Sequence, residues 1–254
     1  MVESRPNSKK NSAHLEKQEA LKTQHYMFLA GLLSAGGEIN LRARNHLHAA
    51  RPKEGKSYGI SQEFIPEIFF YGSEAQVKKL NAQYGGYTYF HNQHETPVWK
   101  VQGHEAIELA KEVKSFVPSR TAELEVFLGW ENSSKSKRAE MKRKLEELKR
   151  SRIIESTEQQ TSLLTNPVFL AGIFEASASI PQTQDGPVAE NPLVSFRSRN
   201  VGALQEIGNM YGHNSQPVDV KGRELLLAGQ DAVRILEIVK PHLSGQVSDY
   251  VKAA

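Results

Sequence analysis

Five polar side chains stand at alternate positions of two short segments: Asn40, Arg42 and Arg44 in the first, Arg197 and Arg199 in the second. In an extended chain this spacing puts them on one face. Asparagine and arginine placed that way can make bidentate contacts to purine edges, and arginine can equally hold phosphates. A second set of cations lies in the run from 135 to 152, where lysines and arginines outnumber acids three to one. Lys135, Lys137, Arg138, Lys142 and Arg143 are its candidate phosphate contacts. Other chemistry has less support. His91, His94 and His104 lie close together, but their spacing fits no zinc pattern and suits surface positions around a hairpin turn. With no cysteine in the chain, thiolate metal sites and disulfides are excluded. The aromatic group Phe69, Phe70, Tyr71, Tyr84, Tyr87, Tyr89 and Phe90 could stack unpaired bases, although core packing and strand pairing account for most of it.

The chain has 254 residues and a formal net charge of +3. That length supplies one large domain or two small ones, and a polyanion site must come from where the charges lie rather than from their total. No stretch approaches 18 consecutive apolar residues, so no membrane span or membrane partner is expected. Residues 1–22, with Arg5, Lys9 and Lys10, read as a polar basic N-terminal arm, either phosphate-contacting or, as the favoured reading, a disordered tail. They lack the apolar stretch of a secretory signal and are too acidic for a transit peptide.

Periodicity supplies the elements that must position these residues. A helix over 24–35 is stopped by Gly36 and Gly37, and Ile39, Leu41 and Ala43 then alternate with Glu38, Asn40, Arg42 and Arg44 as a two-faced strand. After a loop over 52–56, a strand over 58–70 carries Pro66 as a break or edge. Ser73 caps a helix to 84, strands follow over 87–91 and 97–102, and helices over 104–116 and 120–130. The second half reads as a helix over the repeated phrase described below, strands over 179–182 and 193–199, a helix over 201–211, and strands over 217–220 and 224–227. Between the halves, Met141, Leu145 and Leu148 make a thin apolar stripe at helical spacing. The basic run is thus a helix along one flank, either a solvated linker or a phosphate-contacting element.

One phrase occurs twice, Phe28-Leu29-Ala30-Gly31-Leu32-Leu33 and Phe169-Leu170-Ala171-Gly172-Ile173-Phe174, with the copies 141 residues apart. An Ala-Gly step lets helix backbones approach closely, so the two phrases are candidate partners across a pseudo-twofold axis. Gly229-Gln230-Asp231-Ala232-Val233 likewise echoes Gly103-His104-Glu105-Ala106-Ile107. On these motifs the sequence resembles the LAGLIDADG homing endonuclease family in its single-chain, two-repeat form, from about Tyr26 to Val251. The resemblance implies an α+β fold, a pseudo-twofold duplicated saddle of two antiparallel sheets backed by helices, monomeric by internal duplication. Its expected divisions are the arm 1–22, a first repeat 23–131, a basic linker helix 132–165 and a second repeat 166–254.

The resemblance also implies where a cleavage centre would stand. Each motif helix of the family ends in an acid that holds a divalent metal over the scissile phosphate. Those positions fall on Gly36 and Ser177, neither of which is charged. Glu175 is two residues before the second, about 200° around a helix, and reads as a surface or interface residue. Glu38 is the remaining acid near the centre. The family's basic residue beside the metals is matched by Arg120, whereas the second repeat reads Ser244-Gly245-Gln246-Val247. The expected chain is therefore not an enzyme and needs no cofactor, with Mg²⁺ required only if residual nuclease activity exists. Three functions stay open. The favoured one is an inactive nucleic-acid binder with RNA preferred to DNA, either an rRNA-bound ribosomal component or an intron-splicing maturase, with rRNA and ribosomal proteins as partners and the mitochondrial or another organelle matrix, or the cytoplasm, as location. The second is a site-specific duplex DNA binder, and the third an active endonuclease using Glu38 or backbone oxygens for metal.

Overall fold

The structure, a computed structural model, describes residues 7–47, 60–150, 158–180, 192–212, 216–217 and 223–243. The first repeat runs α1 (Asn7–Ala35), β1 (Glu38–Leu47), β2 (Ile60–Tyr71), α2 (Glu74–Tyr84), β3 (Tyr87–His91), β4 (Thr96–Gln102), α3 (His104–Val113) and α4 (Thr121–Leu128). Helix α5 (Lys135–Arg150) and the short α6 (Glu158–Leu164) connect it to the second. There follow α7 (Pro167–Ser177), β5 (Ala178–Ser179), β6 (Leu193–Arg197), α8 (Val201–Tyr211), β7 (Gln216–Pro217), β8 (Glu224–Ala228) and α9 (Gln230–Val239). The strands form two antiparallel sheets, ordered β1-β2-β4-β3 and β5-β6-β8-β7, so both repeats share one topology. The fold is α+β, as the sequence pattern predicts.

The duplication extends to backbone detail. Gly103 and Gly229 begin α3 and α9 at φ 70° and 58°, a region that glycine enters without a Cβ penalty. Gly103 N–H donates to Pro66 O at 2.8 Å and Gly229 N–H to Pro192 O at 2.9 Å. Both helices then tighten into 3-10 turns, Lys114–Phe116 and Lys240–His242. Pro66 does not break its strand: β2 is continuous and central, with Pro66 opposite Leu41. Its carbonyl points toward β4, so its nitrogen does too, just where β4 ends and no ladder donor is needed.

The core lies between each sheet and its helices. Ile39, Leu41, Ile68, Phe70 and Trp99 bury the inner face of the first sheet, Val194, Phe196 and Leu227 that of the second. Helices α1 and α7 join the two halves. A Cβ added at Gly31 would sit 2.1 Å from Phe169 O, and one at Gly172 would sit 2.1 Å from Phe28 O. The repeated phrases are therefore reciprocal partners in backbone contact, and only glycine fits at the crossing.

Helix α1 starts at Asn7, well before the expected start at 24, so the described part of the arm is helical. Helix formers such as Leu15, Glu16, Lys17, Gln18, Glu19, Ala20 and Leu21 extend a helix already nucleated by its buried end. Lys22 pairs with Glu112 at 3.1 Å, whereas Leu15 and Leu21 remain exposed. Arg5 and the expectations over 52–56, 58–59, 181–182, 218–220 and 244–247 lie outside the described residues.

Candidate nucleic-acid interface

The carboxyl ends of α1 and α7 meet at the centre of the molecule, and each is closed by groups from the other repeat. Ser34 O accepts from Asn200 Nδ2 at 3.3 Å, and Ala35 O from Ser198 Oγ at 2.9 Å. Reciprocally, Glu175 O accepts from Gln76 Nε2 at 3.1 Å. Asn200 is the N-cap of α8, and Gln76 belongs to the capping box with Ser73 that opens α2. The same residues thus start the second helix of one repeat and satisfy the last carbonyls of the other's motif helix. Glu175 is buried there, 3.9 Å from Lys79 of the first repeat, an interface residue as expected.

A cavity of about 510 Å³ opens beside these helix ends, with Gly36, Gly37 and Ala176 on its wall. Gly36 is tightly packed, since a Cβ there would sit 3.0 Å from Ala176 O. Ser177 turns its hydroxyl back into its own helix, donating to Ile173 O at 2.7 Å. Two acids reach the cavity, and both are neutralised. Glu38 is 3.2 Å from Lys149 in the last turn of α5. Burial pulls the Lys149 ammonium below the usual lysine range, while Glu38 opposes that shift. Glu224 accepts from Ser195 Oγ at 2.7 Å and pairs with Arg197 at 3.1 Å, contacts that lower its carboxyl below the usual range. Arg199 and Arg223 complete the lining.

A hard divalent cation needs several anionic or well-aimed oxygen ligands. Here the motif positions offer no carboxylate, the two nearby carboxylates already hold cationic partners, and three arginines face the same space. The residues do not fit a catalytic metal. They fit an anion with several oxygens, such as a phosphodiester.

On the open face of the first sheet, Asn40, Arg42 and Arg44 share one side of β1 as the alternation predicts. Arg42 and Arg44 are exposed, but Asn40 is engaged, donating to Glu67 Oε1 at 3.3 Å and accepting from Leu41 N at 2.9 Å. Glu67 is buried on this face between Lys100, with which it forms an ion pair, and Arg42 at 3.5 Å. Arg197 and Arg199 are exposed and join Arg223 at the cavity.

Arg120 corrects the expectation that it contacts nucleic acid. It is 1% exposed, donates to Leu33 O at 2.8 Å and to Gly37 O, and pairs with buried Glu123 at 2.6 Å. Its rigid fork serves the end of α1 instead, since carbonyls left unpaired in the core are costly. None of the five linker cations lines the cavity. Arg138 lies over the Trp130 ring at 4.1 Å, Lys142 and Arg143 pair along their own helix with Glu146 and Glu147, and Lys135 and Lys137 are exposed. The linker's contribution to the centre is Lys149, which periodicity could not single out.

The histidines divide. His91 and His94 stack at 4.6 Å against Tyr71, and His104 lies 3.0 Å from Glu131 and 3.8 Å from Glu108. These last three are the group, among the described residues, whose ligand atoms could share a cation. Lys111 already stands between both carboxylates, at 2.6 and 3.0 Å, and its hydrogen bond lowers the Glu108 carboxyl below the usual range, so the group reads as an ion-pair hub.

Neither a family model nor a curated protein matches the sequence. Solved structures do. The chain aligns with the LAGLIDADG homing endonuclease I-GzeII in complex with its DNA target over 89% of this chain and 87% of that one, with a TM-score of 0.53 and 12% identity. For the meganuclease I-SmaMI bound to uncleaveable DNA the values are 90%, 87%, 0.56 and 12%. For I-LtrWI bound to target DNA they are 91%, 89%, 0.55 and 12%. The chain has the LAGLIDADG homing endonuclease fold. Within this LAGLIDADG fold, α1 and α7 are the paired motif helices that the repeated phrase predicts, and the cavity lies at their carboxyl ends. Arg223 and Glu224 escaped sequence reasoning because they become neighbours of Arg197 only through the β6–β8 register, in which Arg197 faces Glu224.

Proposed function

We propose that this LAGLIDADG-fold protein binds nucleic acid without cutting it, and that structured RNA is the favoured target. The observation that carries the reading is the cavity at the motif-helix ends. Where a metal-dependent nuclease would concentrate negative charge, this chain places Arg197, Arg199 and Arg223, with Glu38 and Glu224 each held by a cation. Arginine can neutralise a phosphodiester directly, with bidentate geometry and no metal. Backbone oxygens are poor substitutes for the missing carboxylates, because Leu33, Ser34, Ala35, Ile173 and Glu175 carbonyls all accept protein hydrogen bonds. Recruitment as an rRNA-bound ribosomal component or an intron-splicing maturase in an organelle, working as a monomer, is the physiological setting this reading implies.

A second reading is a site-specific duplex DNA binder. The fold's similar solved structures include I-GzeII and I-LtrWI, each with its DNA target, and that observation favours it.

Both readings place phosphate at the arginines. The variant Arg197→Ala/Arg199→Ala/Arg223→Ala is expected to flatten the dependence of log affinity on log salt by roughly 0.7 to 0.9 for each phosphate that the protein no longer neutralises. Titrations at several salt concentrations measure this slope. An unchanged slope would move the polyanion site elsewhere.

A further inference from the structure

The two sheets differ on their open faces. Across the first sheet, paired positions put Glu38, Phe69, Lys100 and Tyr87 in one row, and Tyr71, Val98 and Tyr89 in the next. In the second sheet, β6 and β8 carry Ser195, Leu226, Arg197 and Glu224 at the matching positions. Phe69 and Tyr71 thus answer to a serine and an arginine, and Tyr87 to Gln216. Tyr87 and Tyr89 are 39% and 38% exposed, and their rings stand 6.1 Å apart, tilted by 34°. Neither lies flat on its neighbour, so mutual stacking does not use up either ring. The Tyr87 hydroxyl donates to Gln102 Oε1 at 3.2 Å, and the Phe69 ring meets Tyr71 edge-on at 5.5 Å. Arg42, 47% exposed, lies on the same face on the opposite edge strand β1, and Arg44 follows it along that strand.

Such a face cannot read a paired duplex through its rings, because stacked bases present only their edges to a groove. Unpaired bases present their faces, and aromatic rings on a sheet flanked by cations are suited to receive them. We infer that Tyr87 and Tyr89 on the first sheet stack the bases of a single-stranded RNA segment, with Arg42 and Arg44 holding its backbone. The inference rests on the nucleic-acid-binding reading above and deepens it: the first repeat takes unpaired bases beside its own arginines, while the centre and the second repeat hold phosphate further along the molecule.

The test uses the full chain and fluorescence anisotropy with three labelled oligonucleotides of equal length, a single-stranded RNA, its single-stranded DNA counterpart and a fully paired RNA duplex. Tyr87→Ala/Tyr89→Ala is expected to weaken single-stranded RNA binding by roughly 5- to 150-fold per ring and to change duplex binding by less than about 2-fold. Tyr87→Phe/Tyr89→Phe, which keeps the rings, is expected to bind as the unaltered protein does. Equal weakening on single strand and duplex, or none on either, would overturn the stacking assignment while leaving nucleic-acid binding intact. Equal binding of single-stranded DNA by the unaltered protein would overturn the choice of RNA. If the unaltered protein binds none of the three, the functional reading fails first and this inference falls with it.

Discussion

Replacing either Gly31 or Gly172 by alanine is expected to destabilise the protein by about 3 kcal/mol, toward the upper end of overpacking costs. In a chain of this size that lowers the melting temperature by roughly 6–12 °C. Helix propensity alone points the other way, since alanine is favoured over glycine inside a helix by about 1 kcal/mol. Packing wins because the new Cβ meets a carbonyl oxygen at 2.1 Å on the facing helix, and backbone cannot rotate aside as a side chain can. Separating α1 from α7 would also loosen the hydrogen bonds that tie each helix end to the other repeat, Asn200 to Ser34 and Gln76 to Glu175. Gly129→Ala provides the control. That glycine has a helical φ of −63°, and its added Cβ would meet nothing nearer than 3.4 Å, so the change should stay within about 0.5 kcal/mol. Thermal unfolding of the three variants checks the ranking. Equal stabilities would contradict the close helix crossing.

Arg120→Met is expected to cost about 3–5 kcal/mol, because it leaves Glu123 as a buried charge without its guanidinium partner. The carbonyls of Leu33 and Gly37 are deprived of their donor at the same time. Removing both charges in Arg120→Met/Glu123→Leu should recover part of the stability, since the buried anion is the larger penalty. Denaturant unfolding of the single and double variants separates the two effects. A cost under about 1 kcal/mol for Arg120→Met would return this arginine to the nucleic-acid surface.

The same pair shows how far the sequence can be read. Local patterns are legible because their causes are local: Ser73 before Gln76 marks a capping box, the alternation from Glu38 to Arg44 marks a two-faced strand, and two Leu-Ala-Gly phrases mark a helix crossing. Arg120 looks from its neighbours like a cation at a helix start. Its role is set by carbonyls more than 80 residues earlier in the chain, which no periodicity reports. Lys149 is one cation in a run of nine and is distinguished only by where the last turn of α5 ends. Tyr87 and Tyr89 read in sequence as members of a mostly core aromatic group, yet β3 is an edge strand whose residues 87–90 are exposed, so they do not join the core. Phe70 and Tyr84, from the same sequence cluster, do pack inward, with Tyr84 5.9 Å from Trp99.

The proposed function turns on whether the chain holds nucleic acid through arginine rather than through a metal, and does so without cleavage. The most direct measurement incubates the full chain with randomised pools of structured RNA and of duplex DNA, in magnesium and in EDTA, with spermidine keeping the RNA folded in both. Bound and cleaved molecules are then sequenced. Enrichment of RNA, equal in the two buffers and with no new ends in either pool, is the expected result. Enrichment of one duplex DNA site, with cut ends that appear only in magnesium, would contradict it.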